Sequence, residues 1–309
     1  MPKHIRVAFY LMSLVSLFLL VCPNGVQVND SVSAAQRPPL VINELLARVP
    51  ADDPATPDVI EGDANGDGVR DANLDEFVEL VNTGMEPFDI SGYEVDDSNS
   101  PGSLRFPNGT ILPAGEAVVI FGGGDLVMSR LEFGNARALG LLFSVGGANG
   151  FGFGNAGDAV IVRNPQGQEV ARLDYDNMNP VPQPVFQSLN RNPELTGPFI
   201  NHRDVAGAGQ RAFSPGTRVD GRAFRRVLTG ASPQVGPLSG GTQVTLTGAG
   251  FGSPIESVWF GSRAATDVMR INSLQVVVRA PASTTAGPVD VKVIDRFGEI
   301  VAQGLYTYQ

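Results

Sequence analysis

The chain has 309 residues, of which 42% are apolar, 17% charged and 7% aromatic, a globular composition with room for about two domains. Its net charge of −10 rules out a general polyanion binder as the first reading, since such a domain would carry a basic stripe. The single cysteine, Cys22, lies in an N-terminal apolar run, so the rest of the chain holds neither a disulfide framework nor a cysteine metal site.

Lys3, His4 and Arg6 precede an apolar run from Val7 to Cys22, the pattern of a secretory signal. The run falls short of the ~20 residues that span a bilayer comfortably. The small residues Ser33-Ala34-Ala35 place cleavage after Ala35, so that residues 1–35 are a signal peptide. An earlier cut near Gly25 and an uncleaved anchor are the alternatives. An acylated Cys22 would need a small residue before it, and Val21 stands there.

Apolar alternation then points to strands at Leu40–Leu45, Glu76–Asn82, Gly92–Asp96, Ala117–Phe121, Ala159–Arg163 and Glu169–Tyr175, most bounded by turn-forming residues. A short helix is expected only within Asp125–Leu142. Between the first two strands runs Asp63-Ala64-Asn65-Gly66-Asp67-Gly68-Val69-Arg70-Asp71. Oxygen-bearing side chains at alternate positions, then a glycine, describe the first half of an EF-hand-type calcium loop. Asp63, Asn65 and Asp67 would offer side chains, Val69 its carbonyl, and Asp71 the water-mediated ninth position. Position twelve is Leu74 rather than an acid, so a looser loop would have to bring in Asp75. Residues 51–97 hold 15 acids and one base, Arg70, a density that needs solvation or a bridging cation. A solvated Asx-turn loop without metal explains the same spacing. If calcium is the cofactor, it orders the loop rather than performing chemistry.

Residues 40–218 carry 25 acids and 11 bases, residues 219–309 only 6 and 8. This shift marks two domains, 40–218 and 231–309, joined by a linker at 219–230 whose length permits relative motion. The linker holds Arg222, Arg225 and Arg226, either solvated or set to touch an acidic surface. In the second domain the expected strands are Gln243–Thr247, Ser257–Phe260, Gln275–Arg279, Pro288–Ile294 and Leu305–Tyr308. Phe251 among Gly248, Gly250 and Gly252 reads as a ring plugging the core, and Trp259 as a core residue with its indole N–H satisfied, the alternative being an exposed ring that stacks on a ligand.

Several catalytic signals fail. Gly152–Gly157 matches G-x-G-x-x-G, but a strand follows it where a helix is required. His202-Arg203-Asp204 resembles a kinase catalytic loop without the rest of the kinase set. His202 is the only histidine beyond the signal segment, too few for zinc hydrolysis, and no G-x-S-x-G elbow is present. No enzyme is expected.

Three blocks carry a family likeness in the first domain: Val41-Ile42-Asn43-Glu44-Leu45; Asp75–Asn82 with Phe88-Asp89-Ile90-Ser91-Gly92-Tyr93; and Gly154–Asp158 with its following strand, Gln166-Gly167 and Asp174-Tyr175. A closing Ser188–Pro193 and Ser214-Pro215-Gly216-Thr217 also fit. This region resembles the lamin tail domain of bacterial secreted proteins. The second domain resembles an IPT/TIG domain through Pro233, Gly240-Gly241-Thr242, Gly248–Gly252, Val258–Gly261, Ala280-Pro281 and Ala286-Gly287. Both resemblances imply immunoglobulin-like sandwiches, so the expected fold is all-β, two such sandwiches in tandem after the signal peptide. They also imply a non-catalytic interaction, adhesion or scaffold protein, secreted or at the cell surface, whose partner is an extracellular protein or polysaccharide. The alternatives are an accessory subunit of a separate secreted hydrolase and, opposed by the acidic first domain, DNA binding. Membrane attachment is expected only if the N-terminal segment stays uncleaved.

Overall fold

Alternating apolar residues become paired strands along almost the whole of the computed structural model, which describes residues 38–53, 55–56, 60–98, 104–176 and 186–309. The expected signal segment, with Cys22, lies outside the described residues. Among those residues no helix is long and apolar enough to cross a membrane.

The first domain packs two sheets. One runs β12 (Phe199–Asn201), β11 (Leu189–Arg191), β1 (Leu40–Leu46), β2 (Phe77–Asn82), β7 (Ala117–Phe121), β8 (Leu142–Ser144). The other runs β10 (Glu169–Asp176), β9 (Gly157–Arg163), β4 (Glu94–Asp97), β5 (Leu104–Arg105), and β3 (Phe88–Asp89) pairs with β6 (Ile111–Leu112) at the side. Val78 and Leu80 of β2 and Val118 and Ile120 of β7 join Val160 and Val162 of β9 in one core. The short helix α1 (Ala136–Leu139) falls within the expected window and ends at Gly140, whose φ of +70° suits a glycine cap.

Every residue of β2 is buried, which a sheet with one solvated face would not give. Phe77 and Glu79 lie on the same face by the period of two. There the ring of Phe77 meets Phe213 at 6.4 Å between centroids, and Glu79 accepts the N–H of Gly216. The segment 211–218 therefore covers the outer face of the central strands.

The second domain follows the same plan with a simpler interior. One sheet is β13 (Val227–Ser232), β15 (Gln243–Ala249), β19 (Gln275–Arg279), β18 (Thr266–Asn272). The other is β14 (Val235–Gly236), β21 (Gly298–Tyr308), β20 (Gly287–Asp295), β16 (Ile255–Phe260), β17 (Arg263–Ala264). Val244, Leu246, Val276 and Val278 face Val258, Val291 and Val293 across the sandwich core. Phe251 is 1% exposed in that core, and Gly250 beside it has φ +70°, where a Cβ would lie 2.4 Å from the Arg225 carbonyl oxygen.

Three expectations are corrected here. Strand β13 begins at Val227 and takes in the last four residues of the expected linker. Arg226 is no solvated linker residue: it is largely buried and binds Asp295 at 2.6 Å and the Phe297 carbonyl at 2.9 Å. Trp259 is not a core residue. Val258 and Phe260 point inward at 0% and 2% exposure, so the pleat turns Trp259 to the outer face, half-buried, with its N–H donated to Ser257 Oγ at 3.0 Å.

Candidate functional site

Residues 63–75 fold as a tight loop against the segment 122–131. Gly66 and Gly68, at φ +72° and +92°, allow two left-handed turns that most side chains disfavour. The carboxylate of Asp63 accepts the N–H groups of Asp67 at 3.0 Å and Gly68 at 2.9 Å. Asn65 Oδ1 accepts the same Asp67 N–H, and Asp67 accepts from Val69 through one oxygen and from Asp125 through the other, both at 2.9 Å. Asp75 folds back into the loop, accepting the N–H of Asn65 at 3.0 Å and of Asp71 at 2.6 Å.

Hydrogen bonds thus tie Asp63, Asn65, Asp67 and Asp75 together. The Asp71 side chain instead caps the N–H groups of Asn73 and Leu74, which holds its carboxyl below the usual range. Val69 is 63% exposed. Burial, reinforced by repulsion from Asp63 and Asp67, pushes the Asp75 carboxyl up to about 6. Glu76 turns the other way, to the N–H groups of Gly152 and Phe153 at 3.1 and 3.2 Å, where burial lifts it to about 9. The glycine-rich match at 152–157 is accordingly a turn that seats a carboxyl and leads into β9. Among the described residues no three His, Cys, Asp or Glu side chains converge as a metal-binding group. Any cation at the loop would need amide and backbone oxygens as well.

A second polar cluster, which the residue spacing did not signal, is sealed inside the first domain. Glu44 and Glu79 are direct cross-strand partners on β1 and β2, both 0% exposed. Glu44 accepts from Ser188 Oγ at 2.6 Å, from the Ser214 N–H at 2.8 Å and from Ser214 Oγ at 2.7 Å, with His202 Nδ1 at 3.3 Å. Against the cost of burial, the neighbouring His202 and these hydrogen bonds hold its carboxyl below the usual range. Burial and the Glu44 charge push Glu79 well above it, while Asn43 and Gly216 donate to its two oxygens at 2.8 Å. Paired carboxyls shifted apart are a common active-site signature. Here no solvent reaches them, and His202, also 0% exposed, is a core histidine.

The two domains are docked, although the linker's length permits relative motion. Asn135 is 2% exposed. Its Nδ2 donates to the Glu116 carboxyl at 2.9 and 3.1 Å and to the Arg225 carbonyl at 3.1 Å, while its Oδ1 accepts the Gly250 N–H at 2.8 Å. Beside it Arg270 of β18 forks onto Glu132, with Nη1 to Oε1 at 2.7 Å, and donates Nε to the Phe251 carbonyl at 2.9 Å. Burial lifts Glu116 to about 7, opposed by the Asn135 hydrogen bonds and the charge of Arg225.

These sheets define an all-β protein of two immunoglobulin-like sandwiches. The family model of the Lamin Tail Domain matches residues 33–177, and that of the IPT/TIG domain matches residues 227–308. The chain joins a lamin tail domain to an IPT/TIG domain, two kinds of module that fit a non-catalytic binding or scaffold role. No curated protein matches it. Among solved structures it is similar to an auxiliary nutrient binding protein from Bacteroides thetaiotaomicron, at 24% identity and TM-score 0.23, covering 27% of this chain and 21% of that one. It is also similar to SGBP-B from a complex xyloglucan utilization locus in Bacteroides uniformis, at 12% identity and TM-score 0.25, covering 75% and 45% of the two chains. A third likeness, to the plexin A4 extracellular region, has 19% identity and TM-score 0.25 over 75% of this chain and 16% of that one.

Proposed function

We propose that this chain is an exported, non-catalytic binding or scaffold protein of the cell surface or extracellular space, whose lamin tail domain is ordered by a calcium ion. Its partner is an extracellular protein or polysaccharide. The observation that supports the calcium part is that Asp63, Asn65, Asp67 and Asp75 are tied into one hydrogen-bonded loop, with Asp63 and Asp67 near enough for their charges to help raise the Asp75 carboxyl. A divalent cation relieves that repulsion, and the oxygens of Asn65 and Val69 complete a hard-ligand set. The ion would act on structure, fixing the loop against the segment 122–131.

Thermal unfolding in millimolar calcium and in chelator tests this reading. Extracellular calcium modules bind at ~0.1–1 mM. At ten times that constant, linkage adds about 1.4 kcal/mol and raises Tm by roughly 3–6 °C. Replacing Asp63 and Asp67 with Ala should abolish the shift. A Tm that ignores calcium, or a shift that survives in the double variant, removes calcium from the proposal. Retention on cell-wall fractions tests the binding role separately, and no retention with or without calcium counts against adhesion.

A further inference from the structure

A cleft of about 590 Å³ opens between the two docked domains. Its walls carry four arginines, Arg130 and Arg211 from the first domain and Arg270 and Arg296 from the second, against one acid, Glu132. Arg270 and Glu132 neutralise each other. The other three form no ion pair among the described residues. In a chain of net charge −10, three unneutralised guanidinium groups around one cavity are a local reversal of sign. Field focused in such a cleft concentrates anions there.

The remaining lining suits a small molecule better than a bare ion. Arg296 lies over the Phe297 ring at 4.5 Å, which stiffens its planar donor fork. Phe213 and Phe297 add apolar surface, and Ser273, 3% exposed, stands in the wall with a buried hydroxyl that has no partner. We propose that this interdomain cleft binds a small oxyanion-bearing ligand, a carboxylated sugar or a phosphate compound, through Arg130, Arg211 and Arg296. Because both domains supply arginines, the site exists only while they are docked. The acidic loop borders the cleft only through Ala64, and the three arginines lie outside it.

Calorimetric titration of the protein in calcium-free, low-salt buffer tests the proposal with three probes: inorganic phosphate, digalacturonate and a neutral galactose disaccharide. The discriminating variant is Arg130→Gln with Arg296→Gln. Both side chains are exposed and outside any ion pair, so the variant keeps the fold, which its unchanged Tm would show. The expected result is binding of at least one anionic probe, weakened about tenfold or more in the double variant, as loss of charged hydrogen bonds implies. Added salt should weaken it too. Phosphate alone binding points to a phosphate compound, and digalacturonate alone to a carboxylated sugar. Absence of binding by both anions overturns the proposal. So does equal binding by the double variant, or equal binding of the neutral disaccharide.

Discussion

At the centre of the first domain a glutamate faces a glutamate, Glu44 on β1 opposite Glu79 on β2, both sealed from water. At the centre of the second, valine faces valine, Val244 opposite Val278 and Val258 opposite Val293. The valine pairs need only neighbours of the right volume, and many sequences could supply them. The carboxyl pair needs particular donors in particular places, because an unpaired buried charge is costly. Those donors come mainly from late in the domain, Ser188, Ser214 and Gly216, with His202 beside them. They lie beyond residue 177, where the lamin tail match ends. The buried acids therefore fasten the closing segment across the sheet, a task that nondirectional apolar contact would do without fixing register.

The comparison breaks most directly at its most polar point. Glu44→Ala strands His202 and both serine hydroxyls in the core, and should destabilise the protein by about 3–5 kcal/mol. Val258→Ala in the second domain loses two methyl groups and should cost ~2–3 kcal/mol. Urea unfolding measures both. If the glutamate variant proves no less stable than the valine variant, the polar interior is ornament rather than fastening.

A pH series sharpens the same contrast at the joint. Glu116 rises from 4.5 to about 7 because it is buried. A carboxyl raised in the folded state favours folding in its protonated form. Its contribution is fully present below 4.5, declines as pH climbs through 7, and is gone above. The loss is up to about 3 kcal/mol. In calcium-free buffer, the urea midpoint should fall from pH 5 to pH 8, and Glu116→Gln should flatten that fall. An equal slope in the variant would assign the pH dependence to other carboxyls.

The two interiors also differ in how far they could be read in advance. Strands β7 and β19 have the bounds that alternation predicts, Ala117–Phe121 and Gln275–Arg279, because their apolar residues report burial directly. Strand β18 escapes notice: Thr, Asp, Arg and Asn dominate it and most of it is exposed. Strands β11 and β12 are three residues each, too short for any period to show. In the acidic loop, spacing alone brings Asp63, Asn65 and Asp67 forward. That Asp75 turns in and Glu76 turns away depends on where β2 begins, because a shift of one residue exchanges the faces. Nothing in the sequence marks Glu44 as buried, since its partners Ser188 and Ser214 lie 144 and 170 residues further on.

The joint between the two domains holds a buried amide, Asn135. Asn135→Ala removes donors to Glu116 and the Arg225 carbonyl and the acceptor for the Gly250 N–H. Leaving such groups unpaired costs about 2 kcal/mol. Calorimetry should show one coupled transition in the parent and two resolved transitions in the variant. One transition in both would mean that the Arg270–Glu132 pair holds the joint without Asn135.

The smallest effect is expected on the outer face of the second domain, and it separates two roles within one strand. Trp259 and Phe260 are neighbours on β16, yet only Phe260 enters the core, edge-on to Tyr306 at 4.9 Å. Phe260→Ala should cost ~3–5 kcal/mol. Trp259→Ala should cost only about 1 kcal/mol, because its ring keeps water on one side. Its cross-strand partners are Lys292 and Ala264, which give the indole a shallow seat rather than a pocket. Trp259 is the only tryptophan in the chain, so native fluorescence reports on it alone. A neutral quencher such as acrylamide should reach it in the folded protein nearly as well as in urea. Strong protection from the quencher, together with a loss as large as that of Phe260→Ala, would return this indole to the interior and would mean that β16 has the opposite face turned inward.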